Sequence, residues 1–360
     1  MLKRLTLIVK RPRLLILARN HLFSNALKII KKYLGIWKND VGSANLLESI
    51  TLRICGVCNL DCKMCSHICN KQESKFLSLQ TIKKFIDDLD TPWPYISITG
   101  GEPLLHPDLK KILETVKRDG RFVSLTTNGT LLEEKASILT SGRLDMLIVS
   151  VDGDRKTHDR IRNKPNTYDS TIAGLKTILG KKDRPIVFIN CAISSENYQQ
   201  LLKVRDMAVE LGADGINYQQ LWFLTDNIEL VSRDQKSAPK TLKNINLVEL
   251  WRNLQKLKRS KIPVNIFPNL NFFEIVQYYQ TAENFKPRFT NKGTDRPWHH
   301  AIITSGGEII QCNKYHMGNI NDKPFWDIVN GSEYQIFRTE LNSNGRCLPQ
   351  CLRCCNYFRD

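Results

Sequence analysis

Five cysteines lie in one short stretch of the chain, CGVCNLDCKMCSHIC (residues 55–69). Three of them, Cys58, Cys62 and Cys65, follow the order C-x3-C-x2-C, which brings three thiolates onto one loop. Thiolates on such a loop suit an iron–sulfur cluster. Three ligands leave one iron of a four-iron cluster open, and an open coordination site is where a metal centre does chemistry. We therefore predict a reactive cluster rather than a closed structural one.

Disulfides and structural zinc account for these cysteines less well. The chain has 360 residues, eleven cysteines and no cleavable secretion signal, so we expect a reducing, cytoplasmic compartment in which disulfides do not persist. Zinc sites usually combine two separated CxxC pairs. A zinc knuckle or inert buried thiols are the alternatives for this stretch. Cys55 and Cys69 break the spacing and are left unassigned.

The cysteine loop resembles the signature of the radical S-adenosylmethionine (SAM) superfamily, CxxxCxΦC with an aromatic residue or Met at Φ, where this chain has Met64. The resemblance implies that Cys58, Cys62 and Cys65 bind a 4Fe–4S cluster whose open iron takes SAM. One electron then cleaves the sulfonium, and the resulting 5′-deoxyadenosyl radical removes a hydrogen atom from a substrate. The cofactor supplies the difficult chemistry and the protein positions it. A one-electron reductant such as flavodoxin or ferredoxin is the implied partner.

Short apolar, β-branched segments alternate with amphipathic segments after this loop, which predicts repeated βα units. The predicted strands are residues 48–54, 95–100, 122–127, 146–151, 185–193 and 215–222. Six βα units imply a parallel sheet, and hence an α/β fold built on a partial (β/α)6 TIM-like barrel. We assign the barrel to residues 48–225, followed by a bridging segment, 226–295, that mixes loop-like and helical stretches.

Short polar motifs follow successive predicted strands, at the edge of a parallel sheet where sites form. They are TGGEPLLHP (99–107), TTNGT (126–130) and VSVDG (149–153), with HDRIR (158–162) after the last. Gly100 and Gly101 allow close backbone approach, and Glu102 offers a carboxylate to an ammonium group. In the superfamily this GGE element binds the methionine amino group of SAM.

Three further SAM contacts are expected beside these motifs. Asn128 is a natural polar contact for the adenosyl end, and Ser150 lies at the rim of the fourth strand together with Asp152. The resemblance implies that Arg162 pairs with the methionine carboxylate, which suits the guanidinium fork. No general acid or base can be named from the sequence. The positional candidates near the sixth strand are Gln219, Gln220 and Asp226.

The tail predicts a second cysteine site. RPWHHAIITSGGEIIQC (296–312) indicates two strands around a Gly-Gly turn, and CLPQCLRCC (347–355) follows after a helical segment. This pattern resembles the SPASM iron–sulfur extension of radical SAM enzymes, which we place at 296–360. It differs in that Arg296 stands where the family has a cysteine. Five tail cysteines cannot ligate two four-iron clusters, so we expect one auxiliary 4Fe–4S cluster. Its expected ligands are Cys312, Cys347, Cys351 and Cys354, with Cys355 competing for the fourth place and structural zinc as the alternative.

Positive charge is concentrated at the N-terminus. The chain carries 53 Lys and Arg against 36 Asp and Glu, a net charge of +17, and residues 1–40 hold ten of the basic residues. HLFSNALKIIKKYLGIW (21–37) predicts a basic amphipathic helix within an N-terminal helical segment, 1–47. No apolar run reaches the ~18 residues of a membrane span. The helix fits an anionic membrane surface, such as the inner membrane face, as well as packing on the barrel. Nucleic acid is not an expected partner, because no nucleic-acid-binding motif is present.

These patterns together predict a radical SAM enzyme, of undetermined oxidoreductase or transferase class, that abstracts hydrogen from a substrate held between barrel and tail. The expected substrates are a peptide or protein, or a lipid- or glycan-linked molecule. The alternative is a non-catalytic iron–sulfur or zinc-binding scaffold. The GGE, TTNG and SVDG motifs argue against that alternative, since a scaffold needs no SAM pocket.

Overall fold

The computed structural model describes residues 44, 47–65, 76–89, 94–221, 244–280, 293–312, 315–348 and 351. The predicted N-terminal amphipathic helix, Cys69, Asp226, Cys354 and Cys355 lie outside these residues. Within the described part of the chain, no helix has the length and apolar character needed to cross a membrane.

One open sheet of ten strands organises the described residues, in the order β10-β9-β8-β1-β2-β3-β4-β5-β6-β7. Strands β1 to β8 pair with one another in parallel, whereas β9 is antiparallel to β8 and β10 is antiparallel to β9. The α/β partial barrel is thereby confirmed, and its sheet is not closed. The strands are Ser49–Cys55 (β1), Tyr95–Gly100 (β2), Val123–Thr127 (β3), Met146–Ser150 (β4), Ile186–Ile193 (β5), Gly215–Gln220 (β6), Val264–Phe267 (β7), His300–Ile303 (β8), Glu308–Gln311 (β9) and Tyr315–Asn319 (β10).

Helices follow most of the parallel strands, and several begin at side-chain caps. At the start of helix α1 (Leu79–Asp88), the Ser78 side chain accepts a hydrogen bond from the backbone N–H of Thr81. At the start of α4 (Arg155–Arg162), the Asp154 side chain accepts one from the backbone N–H of Thr157. The helices are Leu79–Asp88 (α1), Leu109–Lys117 (α2), Leu132–Leu139 (α3), Arg155–Arg162 (α4), Thr167–Leu179 (α5), Leu201–Leu211 (α6), Leu247–Leu257 (α7), Phe272–Tyr279 (α8), Arg296–His299 (α9), Phe325–Val329 (α10) and Ser332–Ser343 (α11).

The two faces of the sheet have different chemistry, because alternate side chains point to opposite faces. The face that carries Ile50, Leu52 and Ile54 is fully buried in the core formed with the helices, and the Tyr218 hydroxyl on this face donates to the Leu201 carbonyl of α6. The opposite face, called the inner face here, carries Ser, Thr or Asn at about half of its positions on β1 to β7. Its apolar part is a separate cluster of Met146, Ile148, Ile186 and Phe188 on β4 and β5.

The bridging segment contributes a seventh barrel strand that the periodicity did not predict. Strand β7 pairs in parallel with β6, with Ile216 opposite Val264, and α7 precedes it. The strand has only four residues, VNIF, between Pro263 and Pro268, so it is too short to show a clear alternating pattern. Helix α7 agrees with the predicted helical stretch of this segment.

The tail continues the barrel sheet. Its predicted hairpin is confirmed as β8 and β9, and β8 pairs in parallel with β1, with Ser49 opposite His300. The Phe85 ring of α1 also packs edge-on against Phe325 of α10, with ring centroids 5.1 Å apart. Barrel and tail therefore share one sheet and one apolar core.

Candidate functional site

The Gly-Gly pair after β2 seats the cysteine loop. The Gly101 N–H donates to the Cys55 carbonyl at 2.6 Å, and the Glu102 N–H donates to the Val57 carbonyl at 2.9 Å. A Cβ on Gly100 would lie 2.3 Å from the Cys55 carbonyl oxygen, and one on Gly101 would lie 2.1 Å from that of Val57. Both positions therefore require glycine because the backbone before Cys58 passes against them.

Glu102 connects the ends of β2 and β3. Its carboxylate accepts hydrogen bonds from the Leu104 N–H at 3.0 Å, the Thr127 hydroxyl at 2.7 Å and the Asn128 N–H at 2.8 Å. The side chain is buried, and this burial raises the pKa of Glu102 although the hydrogen bonds act in the opposite direction. Binding of the methionine amino group by Glu102 stays a prediction, which would add a fourth donor to this carboxylate.

Asn128 stands between β3 and the cysteine loop. Its amide nitrogen donates to the Asn59 side-chain oxygen at 2.8 Å and lies 3.9 Å from the Cys58 sulfur. Its amide oxygen accepts from the N–H and the hydroxyl of Thr130. The predicted adenosyl contact, Asn128, is therefore brought together with the first predicted cluster ligand.

Arg162 approaches the second ligand. Its Nε and one terminal nitrogen both lie on Asp152 Oδ2, at 2.7 and 2.6 Å, and the other terminal nitrogen is 3.8 Å from the Cys62 sulfur. Burial of the guanidinium lowers its pKa, but Asp152 and Cys62 more than offset this, so the pKa of Arg162 is raised. A role of Arg162 on the methionine carboxylate stays a prediction.

Asp152, the carboxylate of the VSVDG motif, organises the residues behind Arg162, a role that the sequence-based predictions did not include. Its Oδ1 accepts from the Ala192 N–H at 3.0 Å, and its backbone carbonyl accepts from the Asn197 amide at 2.9 Å. Its own N–H donates to His158 Nδ1 at 3.2 Å. The VSVDG motif could have suggested this role, because a carboxylate at a strand end close in sequence to Arg162 is a natural ion-pair partner.

The three predicted cluster ligands lie along one loop after β1. Cys58 and Cys62 are half-buried and Cys65 is exposed, and its N–H donates to the Cys62 carbonyl at 3.1 Å. Burial raises the pKa of Cys62 to about 11, with Arg162 acting in the opposite direction. Cys55 is buried, and its thiol donates to the Val57 carbonyl at 3.2 Å, so it packs beneath the loop.

Other predicted residues take different positions. Ser150 is buried at the end of β4, beside Asn190 of β5. Gln219 lies on the inner face, whereas Gln220 lies on the helix-covered face and donates to the Pro268 carbonyl at 2.7 Å. Cys191 is fully buried in β5, as expected for a core residue.

The described tail cysteines, Cys312, Cys347 and Cys351, gather at the other edge of the sheet. Cys312 follows β9, which is antiparallel to β8 with Ile310 opposite Ile302, so it lies near the start of β8 and β1. The Cys351 thiol is hydrogen-bonded to Cys347, and this bond, burial and the nearby Cys312 raise its pKa. Strand β1 has seven residues, so the cysteine loop and the tail cysteines are separated by ~20 Å along the sheet.

The donor set at the cysteine loop fits an iron–sulfur cluster. No three His, Cys, Asp or Glu side chains in the described ranges stand in a ready metal-binding arrangement, so the fit rests on chemistry. Three thiols share one loop, and two of their sulfurs face an amide and a guanidinium donor. Donors of this kind surround cluster sulfurs and adjust their electron density. When bound, such a cluster supplies the electron that cleaves SAM.

Comparison with known proteins finds two family matches in this chain. The sequence matches the Radical SAM superfamily over residues 52–208 and SPASM, an iron–sulfur cluster-binding domain, over residues 295–355. It is 27% identical to an AdoMet-dependent heme synthase of Methanosarcina barkeri, over 85% of this chain and 89% of that protein. It is 24% identical to the Fe-coproporphyrin III synthase of the same organism, over 75% of this chain and 70% of that protein.

A solved structure shows the same fold. Streptococcus suis SuiB bound to S-adenosylmethionine superposes with a TM-score of 0.64 and 16% identity, covering 94% of this chain and 81% of SuiB. The domain matches imply a 4Fe–4S cluster with SAM in the barrel and iron–sulfur ligation in the tail. The chain is an enzyme of the radical SAM superfamily with a C-terminal SPASM domain.

Proposed function

We propose that this enzyme cleaves SAM reductively at a cluster bound by Cys58, Cys62 and Cys65 and abstracts a hydrogen atom from an organic substrate inside the barrel. One observation carries the proposal: Glu102 and Asn128 from the ends of β2 and β3, and Arg162 from the end of α4, meet the cysteine loop at one edge of the sheet. A cysteine loop that served only as a scaffold would need none of these polar groups.

The chain's own residues have three tasks in this reaction. Gly100 and Gly101 hold the loop against β2, which fixes where the cluster ligands stand. Glu102 keeps the ends of β2 and β3 together and is proposed to receive the methionine amino group. Ser150 and Asn128 are proposed to contact the adenosyl end. The buried surroundings of these groups exclude water, which protects a radical from side reactions.

The inner face supports a substrate chamber between the two edges of the sheet. A span of ~20 Å separates the cysteine loop from the tail cysteines, which leaves room for a substrate between them. Of the inner-face positions described on β1 to β7, Arg53 carries the only permanent charge. Hydroxyl and amide groups such as those of Ser97 and Asn217 favour a neutral, hydrogen-bonding substrate, and we propose a peptide or protein segment before a lipid- or glycan-linked molecule.

A tetrapyrrole is the second candidate, because two of the relatives are named for heme and Fe-coproporphyrin III synthesis. Coproporphyrin III carries four carboxylates, which a single inner-face arginine matches poorly. Titration of the reconstituted enzyme with Fe-coproporphyrin III, followed by its visible absorption band, tests this candidate. Saturable binding that is lost on Arg53→Gln would favour the tetrapyrrole over the peptide.

The decisive experiment for the activity is anaerobic. Reconstituted protein with SAM and dithionite is expected to release 5′-deoxyadenosine, and Cys58→Ala is expected to release none. Protein that binds iron fully but yields no 5′-deoxyadenosine would favour the scaffold alternative.

We also propose an electron donor, an auxiliary cluster and a membrane contact for this enzyme. We infer that a one-electron reductant of the flavodoxin or ferredoxin kind donates to the barrel cluster, and that the tail holds one auxiliary 4Fe–4S cluster. The ten basic residues of positions 1–40 support contact of the N-terminal segment with an anionic membrane surface.

A further inference from the structure

We propose that the Asp152–Arg162 ion pair sets the reduction potential of the cluster held by Cys62, with Arg162 acting on the ligand sulfur and Asp152 as its positioning residue. This inference rests on the proposed function, because it assumes that Cys62 ligates the redox-active cluster. It gives Arg162 a role that does not depend on SAM being bound.

The geometry directs the guanidinium at the sulfur. Two nitrogens of Arg162 are held on the same carboxylate oxygen of Asp152, at 2.7 and 2.6 Å, which leaves the third to face the Cys62 sulfur at 3.8 Å. A planar guanidinium fixed at two points cannot rotate away from its third contact. The ion pair therefore holds a positive donor beside a predicted cluster ligand.

The ion pair is itself held in place from behind. Asp152 is fully buried, and its second carboxylate oxygen accepts from the Ala192 N–H on β5. Its backbone carbonyl accepts from the Asn197 amide, and its N–H donates to His158 Nδ1. Three contacts, one on the carboxylate and two on the backbone, thus fix Asp152, whose only ion-pair partner in the described residues is Arg162.

Burial makes the charge effective. The side chains of Arg162 and Asp152 are 10% and 0% exposed, so water screens their field weakly. A positive donor on a cluster sulfur stabilises the reduced, more negative cluster, which raises the reduction potential. The Asp152 carboxylate moderates that effect, so an isosteric change that removes its charge but keeps an oxygen on Arg162 should move the potential in the opposite direction from loss of the arginine.

The test is a redox titration of reconstituted enzyme without SAM, followed by electron paramagnetic resonance of the reduced barrel cluster. The signal of a tail cluster is identified by repeating the titration in Cys58→Ala. Arg162→Gln is expected to lower the ratio of reduced to oxidised cluster at a fixed potential about tenfold. For a one-electron couple this is a midpoint potential lower by ~59 mV. The midpoint potential of Arg162→Lys should lie between those of Arg162→Gln and wild type. The midpoint potential of Asp152→Asn should be higher than that of wild type.

Arg184→Gln is the matched control. Arg184 forms a similarly buried ion pair with Asp214, with side chains 10% and 7% exposed, at the opposite ends of the strands. The midpoint potential of the barrel cluster in Arg184→Gln should equal that of wild type. Coinciding midpoints for Arg162→Gln and wild type, or shifts of the same sign for Arg162→Gln and Asp152→Asn, would overturn the inference. Such a result would leave the proposed function standing, because 5′-deoxyadenosine release is measured separately.

Discussion

Gly101 lies so close to Val57 that a Cβ on the glycine would stand 2.1 Å from the Val57 carbonyl oxygen. Gly101→Ala should therefore displace the cysteine loop. We expect the free energy of unfolding to fall by ~3 kcal/mol and the barrel site to lose its iron. Gly180→Ala is the control, because its nearest contact would be 3.3 Å and its backbone is right-handed. Thermal unfolding and iron analysis measure both variants. Equal iron content in the two would show that the loop tolerates the methyl group.

Each of Cys58, Cys62 and Cys65 should be required for SAM cleavage. Replacing any one by alanine is expected to abolish 5′-deoxyadenosine formation and remove about four irons per chain, because a three-thiolate site cannot hold its cluster on two ligands. Cys55→Ala should keep most of the activity, since the Cys55 thiol is bonded to the Val57 carbonyl beneath the loop. A Cys55→Ala enzyme as inactive as Cys58→Ala would require a different ligand assignment.

The tail should contribute a second cluster. Reconstituted wild type is expected to contain about eight irons, falling to about four when Cys351 and Cys354 are both replaced. The hydrogen bond between Cys351 and Cys347, with Cys312 close by, supports a shared ligand set. Metal analysis by mass spectrometry measures the count. One zinc and only four irons in wild type would identify the tail as a structural zinc site instead.

His158 should make the fold sensitive to acid. Burial lowers the pKa of His158 to about 4, below the ordinary value of 6.5. The stability that the neutral imidazole contributes is therefore present above pH 6.5 and is lost as the pH falls toward 4, since only the unfolded chain gains the proton. Between pH 7 and pH 5, wild type should lose ~2 kcal/mol more than His158→Gln in urea unfolding. Parallel losses in the two proteins would mean that His158 does not drive the acid response.

The N-terminal segment should bind anionic vesicles if it contacts a membrane. Co-sedimentation is expected to be stronger with anionic than with neutral lipid and to weaken with added salt, because each near-surface basic residue contributes ~1 kcal/mol through a screened field. Ile30→Asp with Leu34→Asp should abolish binding without changing 5′-deoxyadenosine release. Equal sedimentation of wild type and a chain lacking residues 1–40 would remove the membrane proposal.

Local patterns in the sequence were sufficient for the barrel strands and for the loop that carries three cysteines. The six predicted strands reappear as β1 to β6 with ends shifted by at most two residues, because strand periodicity and flanking turn residues are local properties. The C-x3-C-x2-C spacing likewise places three thiols on one loop in any fold that exposes the loop. Strand β7 was missed because four residues between prolines carry too little periodic signal.

Contacts between distant segments were decided only by the tertiary structure. Spacing alone does not set which strand ends meet, since that depends on sheet order and register. The packing of Gly101 on Val57 and the pairing of β8 with β1 follow from that register. The contact of Arg162 with Cys62 follows from the end of α4 lying against the cysteine loop. The sequence by itself determined the candidate residues for binding a cluster and SAM. The sheet placed the cysteine loop and the tail cysteines at opposite edges, because β9 reverses direction beside a strand that runs parallel to β1.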